Sequence, residues 1–122
     1  MQYKTITKEI FLAGIDSVLP EKLITRNIEL REDCLYIKDK NFPLRDGGKI
    51  FVVGAGKASA LMAAGVEKIL KSRISEGQII VKYGHKCKLE FIDVTEAGHP
   101  LPDINGVEAT GRNGEKQKGF YR

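Results

Sequence analysis

Apolar residues gather into three short runs along the chain: Ile50-Phe51-Val52-Val53, Ile79-Ile80-Val81 and Phe91-Ile92-Asp93-Val94-Thr95. Each is rich in β-branched residues and reads as a strand of the kind buried on both faces of a parallel sheet. After the first run, Gly54-Ala55-Gly56 turns the chain. From Ala58 the positions Leu61, Met62, Gly65 and Ile69 recur at helical spacing, with Glu67, Lys68 and Lys71 on the opposite side. Ser75-Glu76-Gly77 reads as the next turn, and Gln78 to Lys82 as the second strand. Tyr83-Gly84-His85 and the polar Lys86-Cys87-Lys88 then lead to the third strand, which runs out into Glu96-Ala97-Gly98-His99-Pro100-Leu101-Pro102-Asp103. Asp103 suits the cap of a helix starting near Ile104. Strand, helix and strand in this alternation predict a doubly wound α/β sheet.

Before the first core strand the pattern changes. A helix is predicted from Thr5 or Thr7 to Val18, with Ile6, Ile10, Ala13 and Gly14 on one side and Phe11, Ile15 and Val18 widening the stripe. A stripe so wide implies burial on more than one side. Pro20 opens a second helix, with Glu21 in its first turn and Leu23, Ile24 and Ile28 as its apolar edge. This pair must pack on the sheet or on something outside it. A β-rich patch follows: residues 28–31 and 34–37 flank a turn at Glu32-Asp33, 38–40 turn again, and 41–44 return as a short third strand. Asp46-Gly47-Gly48 punctuates the approach to the core. Past Thr110 the apolar periodicity stops, and Gly111, Gly114 and Gly119 are expected to end any helix. The reading is a domain over 1–110 and a basic, glycine-rich tail over 111–122, disordered or out of frame.

A chain of 122 residues is enough for one domain, and 42% apolar with 30% charged residues suits a globular one. The net charge of +4 raises the question of nucleic acid. Its distribution answers it: Arg112, Lys116, Lys118 and Arg122 against Glu115 put +3 of it into residues 111–122. The body has no basic stripe interleaved with aromatics, so no nucleic-acid partner is expected. No apolar run has transmembrane length and no leader pattern opens the chain, so no membrane is expected and the cytoplasm is the expected compartment. Cys34 and Cys87 form no C-x-x-C pair and read as reduced thiols. His85-Lys86-Cys87 offers two ligands, too few for a metal site, so no metal ligand is assigned.

The candidate chemistry follows from placement. In parallel sheets ligands bind outside the carboxyl ends of the strands. The three loops expected there carry Lys57, then Lys82 and His85, then Glu96 and His99, each with glycine nearby. The glycine turn lets backbone N–H groups approach a ligand, and the helix N-terminus behind it favours negative charge. The lysines select the same sign, so an anionic ligand is expected. The loop lacks the spacing of a Walker A motif. Gly54, Gly56 and Ser59 fit a dinucleotide fingerprint loosely, but the next strand ends in Lys82-Tyr83 rather than in the acid that NAD binding wants.

Taken together, VVGAGKASALMA at 52–63, IIVKYGH at 79–85, IDVTEAGHPLPDINGVEAT at 92–110 and EIFLAGIDSVLPEKLITRNI at 9–28 resemble the N-terminal domain of the two-domain glycerate 2-kinases, whose C-terminal half is the MOFRL domain. The resemblance covers residues 6–110. It implies a Rossmann-like parallel sheet flanked by helices, with an N-terminal helical pair and a small β-hairpin patch, incomplete as a domain. It implies phosphorylation of glycerate at the 2-hydroxyl, with ATP and magnesium, in a cleft between the two domains. Lys57 matches the family's GAGK lysine, with Gly54 and Gly56 in the same loop. The 82–85 and 96–100 loops would line the cleft, with His99 or His85 as substrate contacts. A chain stopping here would be inactive alone and would self-associate through its cut sheet edge or its uncovered surface. Two other readings stand beside it: a hydroxypyruvate reductase using the glycine turn for a nicotinamide cofactor, and a non-catalytic anion- or nucleotide-binding module.

Overall fold

The computed structural model describes residues 2–118. It is a mixed α/β fold with an antiparallel three-stranded sheet, a parallel three-stranded sheet and helices around them. No helix among the described residues is long and apolar enough to cross a membrane.

The N-terminal pair is α1, Gln2–Ser17, and α2, Pro20–Asn27. Pro20 sits in the first turn of α2 with Glu21, and Arg26 lies in its last turn, so both ends complement the helix dipole. α2 packs on the core. A Cβ on Gly65 would lie 3.0 Å from Ile24 Cβ, so glycine admits this close approach. Lys68 pairs with Glu21 across the contact. α1 behaves differently. The wide stripe implies burial on more than one side, yet no residue of α1 is buried. Ile10 and Phe11 are 69% and 66% exposed. Burying such side chains fully is worth roughly 1.5–3 kcal/mol each, so the pattern is written for a cover that this fold does not supply.

The hairpin patch is β1, Ile28–Arg31, β2, Cys34–Ile37, and β3, Lys40–Pro43, all antiparallel. Arg31 pairs with Cys34 and Ile37 with Lys40, so both reversals take two residues and β3 starts one residue earlier than expected. Glu32 and Lys38 absorb the reversals at φ of 50° and 54°.

The core sheet is β4, Ile50–Ala55, β5, Ile74–Lys82, and β6, Asp93–Ala97, parallel in the order β4-β5-β6. Between β4 and β5 lie α3, Ser59–Leu70, and a 3-10 turn at Lys71–Arg73. β5 is the buried centre: Ile79 and Val81 are its fully enclosed side chains, packed with Ala60, Ala63, Leu70, Ile74 and Ile92.

Two expected boundaries move. Ser75-Glu76-Gly77 lies inside β5, because the 3-10 turn, with Lys71 at φ 46°, makes the reversal earlier. Ser75 Oγ accepts the Ile50 N–H at 3.1 Å where the β4–β5 register shifts. Gly77 is there for packing: a Cβ would lie 2.7 Å from Ile92 Cγ1. β6 starts at Asp93 rather than at Phe91. The N–H groups of Phe91 and Ile92 donate to Glu67 Oε1 at 2.6 and 2.9 Å, and that of Glu90 to Oε2 at 3.0 Å. One carboxylate on α3 thus holds three successive amides out of the ladder.

The last element, α4, spans Ile104–Lys118. It runs through Gly111 and Gly114, where the sequence predicts an end. An interior glycine costs about 1 kcal/mol relative to alanine, which a packed and capped helix absorbs. Ala109 is fully buried and Asn113 half-buried. The tail expected over 111–122 is therefore helix as far as Lys118, and Gly119 and the residues after it lie outside the described residues.

Candidate functional site

Because β4, β5 and β6 are parallel and adjacent, the connections leaving their carboxyl ends emerge at one edge of the sheet. With neighbouring strands about 4.8 Å apart, the outer two loops start roughly 10 Å from each other. That edge is where every candidate residue of the sequence resides.

The first loop turns at Gly56, whose φ of 114° favours glycine. Its N–H donates to Ile80 O at 3.0 Å, and its carbonyl accepts the Ser59 N–H at 3.2 Å. Ser59 is buried beneath the turn. Its Oγ would lie 3.7 Å from a Cβ on Gly54 and 3.9 Å from one on Gly56, so the three residues form one tight unit. Lys57 stands exposed at the tip. No side chain caps α3, and its N-terminus faces the same edge as Lys57.

The second and third loops are tied to each other. Gly84, at φ 79°, donates its N–H to Glu96 Oε1 at 2.9 Å. Tyr83 Oη donates to Asp103 Oδ2 at 2.5 Å and accepts from Asn105 Nδ2 at 2.8 Å. Asp103 Oδ1 accepts the Gly106 N–H at 3.1 Å, which makes it the cap of α4 that the sequence predicts. Gly98 is forced by the same fold-back, since a Cβ would lie 2.4 Å from Leu101 O. Lys82 is half-buried at the end of β5, while His85 and His99 are exposed on neighbouring loops. His85 donates its backbone N–H to Lys82 O at 3.0 Å.

Tyr83 and Asn105 were not among the candidates. Their partners are 20 and 22 residues away in sequence, and nothing in local spacing announces such a pairing. Glu67 escaped for the same reason, since its partners are backbone amides of another loop.

The hydrogen bond from Tyr83 holds the Asp103 carboxyl below the usual aspartate range, and the Gly98 and Gly106 N–H groups add to it against a desolvation that pushes the other way. The Tyr83 phenol is pushed up, chiefly by the bond it donates to Asp103, with the Asn105 bond opposing.

A concavity of about 570 Å³ lies between the end of α3 and Phe91, and one of about 580 Å³ runs from Lys86 and Cys87, just past the second loop, to Asp93 and Val94 at the start of β6. A smaller groove of about 230 Å³ lies behind the glycine turn, lined by Ile24, Val53, Gly54, Ser59, Met62 and Val66.

The sequence profile described as "Domain of unknown function (DUF4147)" matches residues 6–118, which carries the likeness past Thr110 to the end of α4. A glycerate 2-kinase from Pyrococcus horikoshii is 31% identical over 107 residues, 88% of this chain and 23% of that protein. A putative hydroxypyruvate reductase from Agrobacterium vitis is 32% identical over 106 residues, 87% of this chain and 21% of that one. Among solved structures, one from Pyrococcus horikoshii superposes with a TM-score of 0.79 at 29% identity, covering 91% of this chain and 24% of its own. The chain thus spans less than a quarter of the length of the relatives it matches.

The Asp103 network has a pH signature. A carboxylate with a depressed folded pKa contributes stability above its unfolded value, about 4, and loses that contribution as pH falls through the lower folded value. The thermal midpoints of the wild-type chain and of Asp103→Asn, followed by circular dichroism, should therefore differ at neutral pH and converge below about pH 4. A gap that stays constant to the acid end would contradict this assignment.

Proposed function

The chain belongs to the DUF4147 family, and from that premise we propose that it is part of an ATP-dependent glycerate 2-kinase, which moves a phosphoryl group from ATP to the 2-hydroxyl of glycerate. The observation carrying this reading is the parallel register that brings three glycine-bearing loops to one edge, two of them with a lysine and two with a histidine. Lys57 is the proposed catalytic residue: its exposed ammonium neutralises charge on the transferring phosphoryl group. The positive end of α3 behind the glycine turn attracts the phosphate, with Ser59 bracing the turn from beneath. Lys82, His85 and His99 face the small acid's carboxylate and hydroxyl. Glu96, expected as a ligand contact, already accepts the Gly84 N–H.

Among the described residues no three of His, Cys, Asp and Glu stand close enough to hold a metal ion. Magnesium is usually held by one or two carboxylates together with substrate phosphates, so the ion would come with the nucleotide, and the roles above do not depend on it. Phosphoryl transfer needs nucleotide and acceptor held together. A MOFRL-type domain is the proposed other wall of the cleft, and this chain alone is proposed to bind but not to turn over. Within this reading it works in the cytoplasm, where ATP is at hand.

A coupled ADP-release assay with D-glycerate and a calorimetric titration with ATP test the proposal. The expected result is millimolar ATP binding without turnover, weakened roughly tenfold in Lys57→Ala, the size of a lost charged hydrogen bond. Failure to bind ATP would remove the kinase reading. The likeness to a putative hydroxypyruvate reductase supports a second reading. Quenching of tyrosine fluorescence by NADPH, undisturbed by ATP, would establish that one instead.

The exposed face of α1 is proposed to pair with a second copy when the chain stands alone. Sedimentation equilibrium should show a dimer that Ile10→Glu shifts to monomer. A wild-type chain that is monomeric at every concentration would refute this.

A further inference from the structure

Two carboxylates, Glu96 and Asp103, stand at an edge otherwise suited to anions. Left open, they would repel the ligand that Lys57 and the loop amides attract. Neither is open. Glu96 accepts the Gly84 N–H at 2.9 Å, and Asp103 accepts Tyr83 Oη at 2.5 Å and the Gly106 N–H at 3.1 Å. The phenol of Tyr83 uses both its capacities, donating to Asp103 and accepting from Asn105 at 2.8 Å. These bonds join one loop to the other from two sides, and a third constraint, the fit of Gly98 against Leu101 O, fixes the third loop itself. Tyr83, Gly84 and Asn105 are all exposed. Beyond a modest contribution to stability, hydrogen bonds in such positions determine where the loop lies.

We infer that Tyr83, Glu96 and Asp103 are positioning residues, a clamp that presents the 82–85 loop in its binding geometry before a ligand arrives. The inference rests on the anion-binding reading of this edge. A preformed loop spares the ligand the ordering of that segment, which raises affinity without any added contact. It also gives both carboxylates protein donors, which partly offset their charge.

Glu96 separates this role from plain electrostatics. Removing a negative charge near an anion site should strengthen anion binding whichever residue replaces it. Positioning makes the replacements differ, because glutamine keeps an acceptor for the Gly84 N–H and alanine does not. The experiment titrates ATP into the full chain and into Glu96→Ala, Glu96→Gln and Tyr83→Phe, with amide exchange at Gly84 followed by NMR. Expected are faster exchange at Gly84 and an ATP affinity lowered about fivefold in Glu96→Ala, with Glu96→Gln close to wild type. Tyr83→Phe, which removes one hydroxyl and keeps the ring, should weaken ATP by a similar factor with the circular dichroism unchanged. It carries the test if Glu96→Ala does not fold. If wild type binds ATP and both Glu96→Ala and Tyr83→Phe bind it equally well or better, the clamp is refuted while the site stands. If wild type binds neither ATP nor D-glycerate, the site reading fails first and the clamp with it.

Discussion

Everything at the candidate edge depends on the parallel pairing of β4 and β6 to the two sides of β5. That strand is the most enclosed of the described elements, with Ile79 and Val81 sealed against α3 and its neighbours. Parallel register has a consequence that antiparallel register would not: all three chain exits fall at the same end. Gly54, Gly56, Gly84 and Gly98 then allow the loops to fold back tightly, and the polar residues between them are left at the surface. The site is a product of strand direction first and of side-chain chemistry second.

The same arrangement accounts for what the fold leaves uncovered. β4 and β6 are the two edges of the described sheet, and α1 offers a broad apolar face with no residue buried. Stability within the chain comes instead from local ties. Glu67 gathers three backbone amides, α2 locks onto α3 through Gly65 and the Glu21–Lys68 pair, and Asp103 caps α4. Each tie fixes a connection that either borders the candidate edge or supports the helix behind it.

Periodicity and turn chemistry made much of this legible. The hairpin patch, Pro20 at the start of α2, the three core strands, the glycine turn before α3 and the Asp103 cap are all local features. The boundaries that moved did so for tertiary reasons. Glu76-Gly77 has the composition of a turn, yet Gly77 sits in a strand because Ile92 packs over it. Phe91 and Ile92 have the composition of a strand, yet their amides belong to Glu67. Gly111 and Gly114 look like an ending, yet α4 passes through both. At the edge itself, placement of Lys57, Lys82, His85, Glu96 and His99 followed from strand order alone. The clamp through Tyr83 did not, because it joins residues that only the folded chain brings within hydrogen-bonding distance.

The proposed site requires three loops to form one surface for one anion. An amide chemical-shift map of the chain titrated with ATP distinguishes this from separate surfaces. Gly56, Lys57, Gly84, His85, Gly98 and His99 are expected to shift together along a single binding curve. Shifts confined to the basic end of α4 around Arg112, or movement of the glycine turn while the other two loops stay still, would contradict it.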